Sequence, residues 1–190
     1  MARKKKVDQQ ELMQVTEELL LKIGYERLNF KLIATQLFVG RSTIYEYYSN
    51  KEELVSEYML KLMNQVLERV DQIEEGGSVD PLTNLRKVLS VLLDYKHVHL
   101  ITEITPVLKG TSPIVDQKLV KLAELEQKLF TFIHTQFQIA EQLGVLRQDI
   151  QVQIKTNFLL QLIKLRKEEN IEREEWADVL FSLLINGLKK

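Results

Sequence analysis

The sequence predicts an all-α fold of about nine helices: an N-terminal three-helix unit containing a helix-turn-helix over residues 1–50, then a helical bundle over residues 51–190. Three observations lead there. Gly and Pro number only seven and three in 190 residues, so little in the chain interrupts a helix. Apolar residues in the long segments recur at i, i+3, i+4 spacing instead of alternating. Helix-start and helix-stop residues punctuate those segments at helical intervals.

Taken in order, Leu12, Val15, Thr16, Leu19, Leu20 and Ile23 form the apolar stripe of a first helix, roughly 8–23, which Gly24 ends at a position needing φ > 0. Asn29 is an N-cap for a short second helix carrying Phe30, Ile33, Ala34 and Leu37 and ending near Phe38. A third short helix starts about Arg41 and runs through Tyr48. Two overlapping capping boxes, Ser49 with Glu52 or Asn50 with Glu53, open a long helix to about Glu75. Gly76-Gly77-Ser78 is a flexible joint.

Beyond it, Asp80-Pro81 and Ser112-Pro113 each read as an N-cap followed by Pro at the first helical position. Thr105-Pro106 ends or kinks the helix between them. A long helix follows from Pro113 to Leu143 and closes at Gly144; Asp149 caps the next, and the last runs near Arg173 to Leu188. Both of the final helices are apolar over more than one stripe, the mark of helices buried on two sides, against their own core and against something else.

A 45% hydrophobic composition can build a core at this length. With no cysteine, disulfide frameworks, thiolate zinc sites and Cys nucleophiles are excluded. No apolar stretch follows the basic N-terminus and none approaches the ~18 residues of a membrane span, so neither a secretion signal nor a membrane helix is expected. The net charge of −1 hides an asymmetry: residues 1–51 carry nine Lys/Arg and six Asp/Glu, and the remainder 17 and 21. The first end is therefore +3 and the second −4.

That basic end holds the motif with chemical content. Two short helices joined by a tight turn, the second opened by Arg41, Ser42 and Thr43, form a helix-turn-helix whose second helix can enter a DNA major groove by its N-terminus. Arg can pair bidentately with guanine, while Ser and Thr bond bases or phosphates. Tyr45 and Tyr47 add hydroxyls, Lys31 adds a cation on the preceding helix, and Lys51 sits at the next helix N-terminus, where N–H groups favour a phosphate. The tetrad Arg3, Lys4, Lys5 and Lys6 is either a solvated tail or an arm on the phosphate backbone or minor groove. Glu46 would repel phosphates if it faced DNA.

At these residues the chain resembles the TetR family of bacterial transcription regulators. The shared pattern is Gly24-Tyr25 ending the first helix, Ile33-Ala34 in the second, Val39 in the turn, and the run Thr43-Ile44-Tyr45-Glu46-Tyr47-Tyr48-Ser49-Asn50-Lys51-Glu52-Glu53-Leu54. Farther on, Gly144-Val145-Leu146-Arg147-Gln148-Asp149 resembles the family's entry to its penultimate helix, and Leu184-Ile185-Asn186-Gly187-Leu188 its closing segment. The turn departs from the pattern: Phe38 replaces the usual Gly, and Gly40 the usual Ser or Thr cap. A bulky residue at φ > 0 is strained, so a slightly altered turn is expected, with Gly40 supplying the freedom.

The resemblance implies a cytoplasmic homodimer that binds double-stranded DNA, with Tyr45 on phosphate and Tyr48 in the core, most simply a repressor of a pseudo-palindromic operator. It also implies that the last two helices pack as a four-helix bundle with a second copy. Phe158, Leu162, Leu165, Trp176, Leu180 and Leu184 are the expected interface. A small-molecule effector, apolar or amphipathic, would sit among inward residues such as Tyr95, His99, Phe130 and His134, with the long fourth helix as hinge. The alternative is a TetR-like module controlled by a protein partner. No cofactor is expected. His97 and His99 lie two apart and do not share a helix face, and no nucleotide-binding or nucleophile motif is present, so neither a metal site nor an enzyme is expected.

Overall fold

The computed structural model describes residues 7–76, 78–95, 97–165, 167 and 170–189; the basic tetrad Arg3 to Lys6 and the joint residue Gly77 lie outside these. Among the described residues nine helices and no strands are found: α1 Gln9–Arg27, α2 Phe30–Gln36, α3 Arg41–Tyr45, α4 Lys51–Glu75, α5 Pro81–Asp94, α6 Val98–Leu108, α7 Pro113–Gln142, α8 Val152–Leu162 and α9 Arg173–Leu188. By contacts the chain forms two compact units, Met1–Lys61 with Leu100–Leu122, and Leu62–His99 with Ala123–Lys190. This division differs from 1–50 and 51–190, because the first unit also takes in the start of α4, most of α6 and the start of α7.

In the first unit Asp8 caps α1, accepting from the Gln10 amide at 2.8 Å. The chain leaves helical geometry at Gly24 (φ 78°, ψ 167°) before one more turn to Arg27. Leu12, Leu20, Leu28, Ile33, Leu37 and Ile44 are almost completely buried there, each adding roughly 1.5–3 kcal/mol of hydrophobic stabilisation. Asn29 caps α2 as predicted, its Oδ1 accepting from the amides of Lys31 and Leu32 at 3.1 Å each. At the start of α4 the Asn50 box is the one used: the Glu53 amide donates to Asn50 Oδ1 at 2.8 Å, and the Glu53 carboxylate accepts from the Ser49 amide at 3.1 Å. Ser112 caps α7 by accepting from the Val115 amide at 3.2 Å. Proline does not stop α6, which runs through Pro106 to Leu108. Pro106 falls in the last turn, and the ladder resumes beyond it with the Lys109 amide donating to Thr105 O at 3.2 Å. The break the sequence did not signal comes earlier, between the end of α5 at Asp94 and the start of α6 at Val98.

The second unit is centred on Leu85, Val88, Leu89, Ile133, Phe137, Leu159, Ala177 and Leu180. Asp80 caps α5 by accepting from the amides of Leu82 and Thr83, and the Thr83 hydroxyl, helped by these two bonds, holds its carboxyl below the usual carboxylate range. Helix α5 packs along α9. Across that seam Arg86 reaches Asp178 at 2.5 Å and Glu174 at 3.4 Å, and the Ser90 hydroxyl donates to Glu174 at 2.9 Å. The expected Asp149 cap is not made: Asp149 forks with Arg147, and Gln151 precedes α8 without a side-chain cap. A buried lysine organises this corner instead. The Lys155 side chain is fully buried, and its Nζ donates to the Glu141 carboxylate and to Arg147 O.

Candidate nucleic-acid interface

Helix α2 ends in a six-residue turn in which the Phe38 amide donates to Thr35 O at 3.3 Å and the Val39 amide to Ala34 O at 3.0 Å. This Schellman arrangement requires a left-handed residue just past the helix end, and Phe38 supplies it with φ 55°. The expected alteration of the turn is therefore absent: Gly40 is extended, φ −75° and ψ 148°, and uses none of glycine's freedom. The reason is energetic. Closing α2 satisfies two carbonyls, which offsets the strain of one residue, and Phe38 stands 89% exposed so its bulk meets no neighbour.

After Gly40 the chain starts α3 with no side-chain cap. Arg41, Ser42 and Tyr45 are exposed around its opening turn, and Lys31 is exposed on α2. Tyr45 stands edge-on to the buried Phe30 ring, centroids 4.9 Å apart, which leaves its hydroxyl end outward. Glu46 is exposed just after α3. Thr43 is placed differently from expectation: it is 6% exposed, packed inside the unit beneath the reading turn. Two other expected contacts are committed within the unit. Lys51 Nζ donates to Tyr25 O at 3.1 Å and lies 4.2 Å from the Tyr25 ring centroid, and the half-buried Tyr47 hydroxyl points to Val7 O at 3.5 Å. Lys51 is drawn there by the carbonyls at the end of α1, a favourable site for a cation.

Several polar groups of the scaffold beneath are engaged with one another. Burial and the Glu52 carboxylate that accepts from Tyr25 Oη at 3.1 Å push the Tyr25 phenol up. Tyr48 is 8% exposed, in the core as the resemblance implied, and burial with nearby Glu57 pushes it up to about 12. Lys118 of α7 lies 5.7 Å from the Tyr48 ring centroid, pairs with Glu57 at 2.6 Å and donates to Glu53 O at 3.3 Å. The arrangement leaves a small set of outward donors on a rigid base, the chemistry of a surface that reads a polyanion.

The second unit holds a cavity of about 470 Å³ lined by Leu92, Leu93, Tyr95, His99, Ile163, Lys164, Leu165, Lys167, Arg173 and Trp176. Of the four residues expected to meet an effector, Tyr95 and His99 line this cavity. Phe130 and His134 do not; one turn apart on α7, they pack on each other with ring centroids 5.8 Å apart. Of the other lining residues, Leu92 and Leu93 come from the end of α5 and the rest from the turn after α8 and the first turn of α9, which no single periodic stripe connects. Of the expected interface residues, Leu162, Leu180 and Leu184 are buried within their own unit, on the stripe that faces α5 and the core. Leu165 is half exposed and lines the cavity together with Trp176. Phe158 is open at 55%, and Ile154 on α8 and Val179 and Leu183 on α9, apolar residues outside the expected interface set, are open too. Among the described residues no cluster of three or more His, Cys, Asp or Glu could hold a metal, and no helix is long and apolar enough to cross a membrane.

Comparisons with known proteins point the same way. A family model described as bacterial regulatory proteins, tetR family, matches residues 12–58. An uncharacterized HTH-type transcriptional regulator of Bacillus subtilis (strain 168), YhgD, is 26% identical over 91 residues, 48% of this chain and 47% of that protein; the match thus spans about half of the relative. The structure of the ketosteroid transcriptional regulator KstR2 of Mycobacterium tuberculosis superposes with a TM-score of 0.79 at 13% identity, over 98% of both chains. The TetR family regulator PfmR from Thermus thermophilus gives 0.69 at 19% identity, over 96% of this chain and all of that one. At these identities the structural likenesses establish the fold.

Proposed function

The chain belongs to the TetR family of bacterial regulatory proteins, and from that premise we propose that it is a homodimeric one-component repressor that occupies a pseudo-palindromic operator and releases it when a small molecule binds. The observation that carries this reading is the outward set Lys31, Arg41, Ser42 and Tyr45 around the start of α3, on a base in which Lys51 and Tyr25 already have partners. Such a set can enter a major groove by the helix N-terminus, with Arg41 on a guanine edge and Lys31 and Tyr45 on phosphates. Two copies related by a two-fold axis would read half-sites one or more turns of ~10 bp apart.

The open apolar residues Ile154 and Phe158 on α8 and Val179 and Leu183 on α9 support the dimer, since contiguous exposed apolar surface marks an interaction site. The effector reading rests on the cavity of the second unit. A molecule bound there releases DNA only by favouring one conformer over the other, and α4, which begins in the first unit and ends in the second, is the hinge this requires.

Footprinting on the DNA flanking the chain's own gene tests the reading. A two-fold symmetric footprint is expected, with affinity falling steeply as salt rises, through counterion release. Arg41→Ala should lose about 1–3 kcal/mol of discrimination at one base pair in each half-site. A flat salt response, or an unchanged footprint for the variant, would remove α3 from the reading surface.

A further inference from the structure

We infer that the cavity of the second unit binds an amphipathic anion: a negatively charged head on an apolar tail. The inference deepens the effector reading above and rests on it for its regulatory meaning. Its walls divide by chemistry. Leu92, Leu93, Ile163 and Leu165 form an apolar surface, whereas among the described residues every charged lining residue, Lys164, Lys167 and Arg173, is a cation. At about 470 Å³ it falls within the range of roughly 300–1,000 Å³ that holds small ligands.

The donors differ in availability, and that decides where a head group sits. Arg173 already pairs with Asp94 at 2.6 Å, and Lys167 donates to Ile171 O. Lys164 is exposed in the turn after α8 and forms no ion pair among the described residues. The Trp176 indole Nε1–H is buried with no acceptor among the described residues, a donor that costs free energy until something accepts from it. Tyr95 presents its ring, its hydroxyl being turned to Gln65 O at 3.4 Å. A neutral apolar ligand would leave both Lys164 and the indole N–H unused. A cationic one would meet three like charges. An anion with an apolar tail answers both walls.

Trp176 is the single tryptophan of the chain, so its fluorescence reports on this wall directly. The full-length chain should be titrated with dodecanoate, dodecanol and dodecyltrimethylammonium, each below its micelle threshold. Dodecanoate should give a saturable change, with affinity about tenfold above the alcohol, the ratio expected for one charge-assisted bond, and higher still above the cation. Lys164→Glu, at an exposed position that leaves the fold intact by circular dichroism, should weaken dodecanoate about tenfold and leave dodecanol unchanged. No saturable change, or a cation that binds as well as the anion, overturns the inference. So does a dodecanoate response that disappears at protein concentrations where the chain is dimeric, because a second copy then fills the cavity. An electrophoretic shift with the footprinted DNA, run with and without dodecanoate, separates the two readings: DNA bound by the free protein but no fluorescence response sinks the cavity alone, and a response without any DNA binding sinks the regulator reading alone.

Discussion

Helices α2 and α7 close with the same pair of backbone bonds and different residues. At the end of α7 the Gly144 amide donates to Glu141 O at 2.9 Å and the Val145 amide to Ala140 O at 3.1 Å, with Gly144 at φ 73°. At the end of α2 the same two bonds form around Phe38 at φ 55°. The segments after the two turns differ as well. Beyond Gly144, Lys155 is buried against Glu141 and Arg147 O, and the Arg147 amide donates to Leu188 O at 2.9 Å. Beyond Phe38 comes Gly40, with no side-chain cap, and then the open residues of α3. The second unit thus uses the unstrained residue and clamps the chain after it, while the first keeps strain in the turn and leaves the next helix uncapped. Backbone strain collects at working sites, and the strained turn is the one that leads into α3, the helix proposed to read DNA.

Breaking the clamp should have the largest effect. Lys155→Ala leaves the Glu141 carboxylate, 17% exposed, and Arg147 O without their donor. Removing one partner of a buried pair costs about 3–5 kcal/mol, to be read from urea unfolding. Lys155→Met combined with Glu141→Leu should recover most of that loss, because matched apolar replacements of a buried pair are often neutral. A single variant as stable as the parent would mean the pair is not desolvated.

The next effect comes from the cap itself. Gly144→Ala places a side chain at φ 73°, where nothing lies within 4 Å of the added carbon. Space is available, so the cost is backbone strain alone, about 1–2 kcal/mol. A loss far above that would show that the turn is crowded, and none at all would show that it had rearranged.

The two helix ends also mark how far the sequence could be read. Asn29, Asn50, Asp80, Ser112, Gly24 and Gly144 were legible, because a cap or a positive φ is decided by a few neighbouring residues. Lys155 was not: a lysine in an apolar helix reads as surface, and only the fold brings Glu141 and Arg147 O to it. Asp149 read as a cap for the same reason, its partner Arg147 lying two residues away outside any helix. In the helix-turn-helix Arg41, Ser42 and Tyr45 were expected from the motif to face outward and are open, whereas Thr43 and Lys51 were assigned by residue type, and the fold buries Thr43 and turns Lys51 to the carbonyls ending α1. The two-stripe character of α8 and α9 was visible, but which stripe faces α5 is a tertiary matter, and it turned Leu162, Leu180 and Leu184 inward.

The mirror of the Gly144 change is expected to be smaller and of opposite sign. Phe38→Gly relieves the left-handed strain and forfeits little burial, because the ring is 89% exposed; the glycine's own entropy cost in the unfolded chain leaves a net gain of about 1 kcal/mol. Thermal or urea unfolding reads the gain. DNA affinity shows whether the strain serves the reading helix: if Phe38→Gly stabilises the chain and binds the operator as before, the strain is a tolerated residue choice, and if it binds more weakly, the turn sets the presentation of α3. Gly40→Ser is the finest adjustment. Its backbone, φ −75° and ψ 148°, accepts any residue, and the added carbon would sit 3.5 Å from Ser42 Oγ, an ordinary contact. The serine hydroxyl can then accept from a first-turn amide of α3, for a gain of a few tenths of a kcal/mol. Any larger gain would mean that α3 frays in the parent chain, in which case the same variant should raise operator affinity by pre-ordering Arg41 and Ser42.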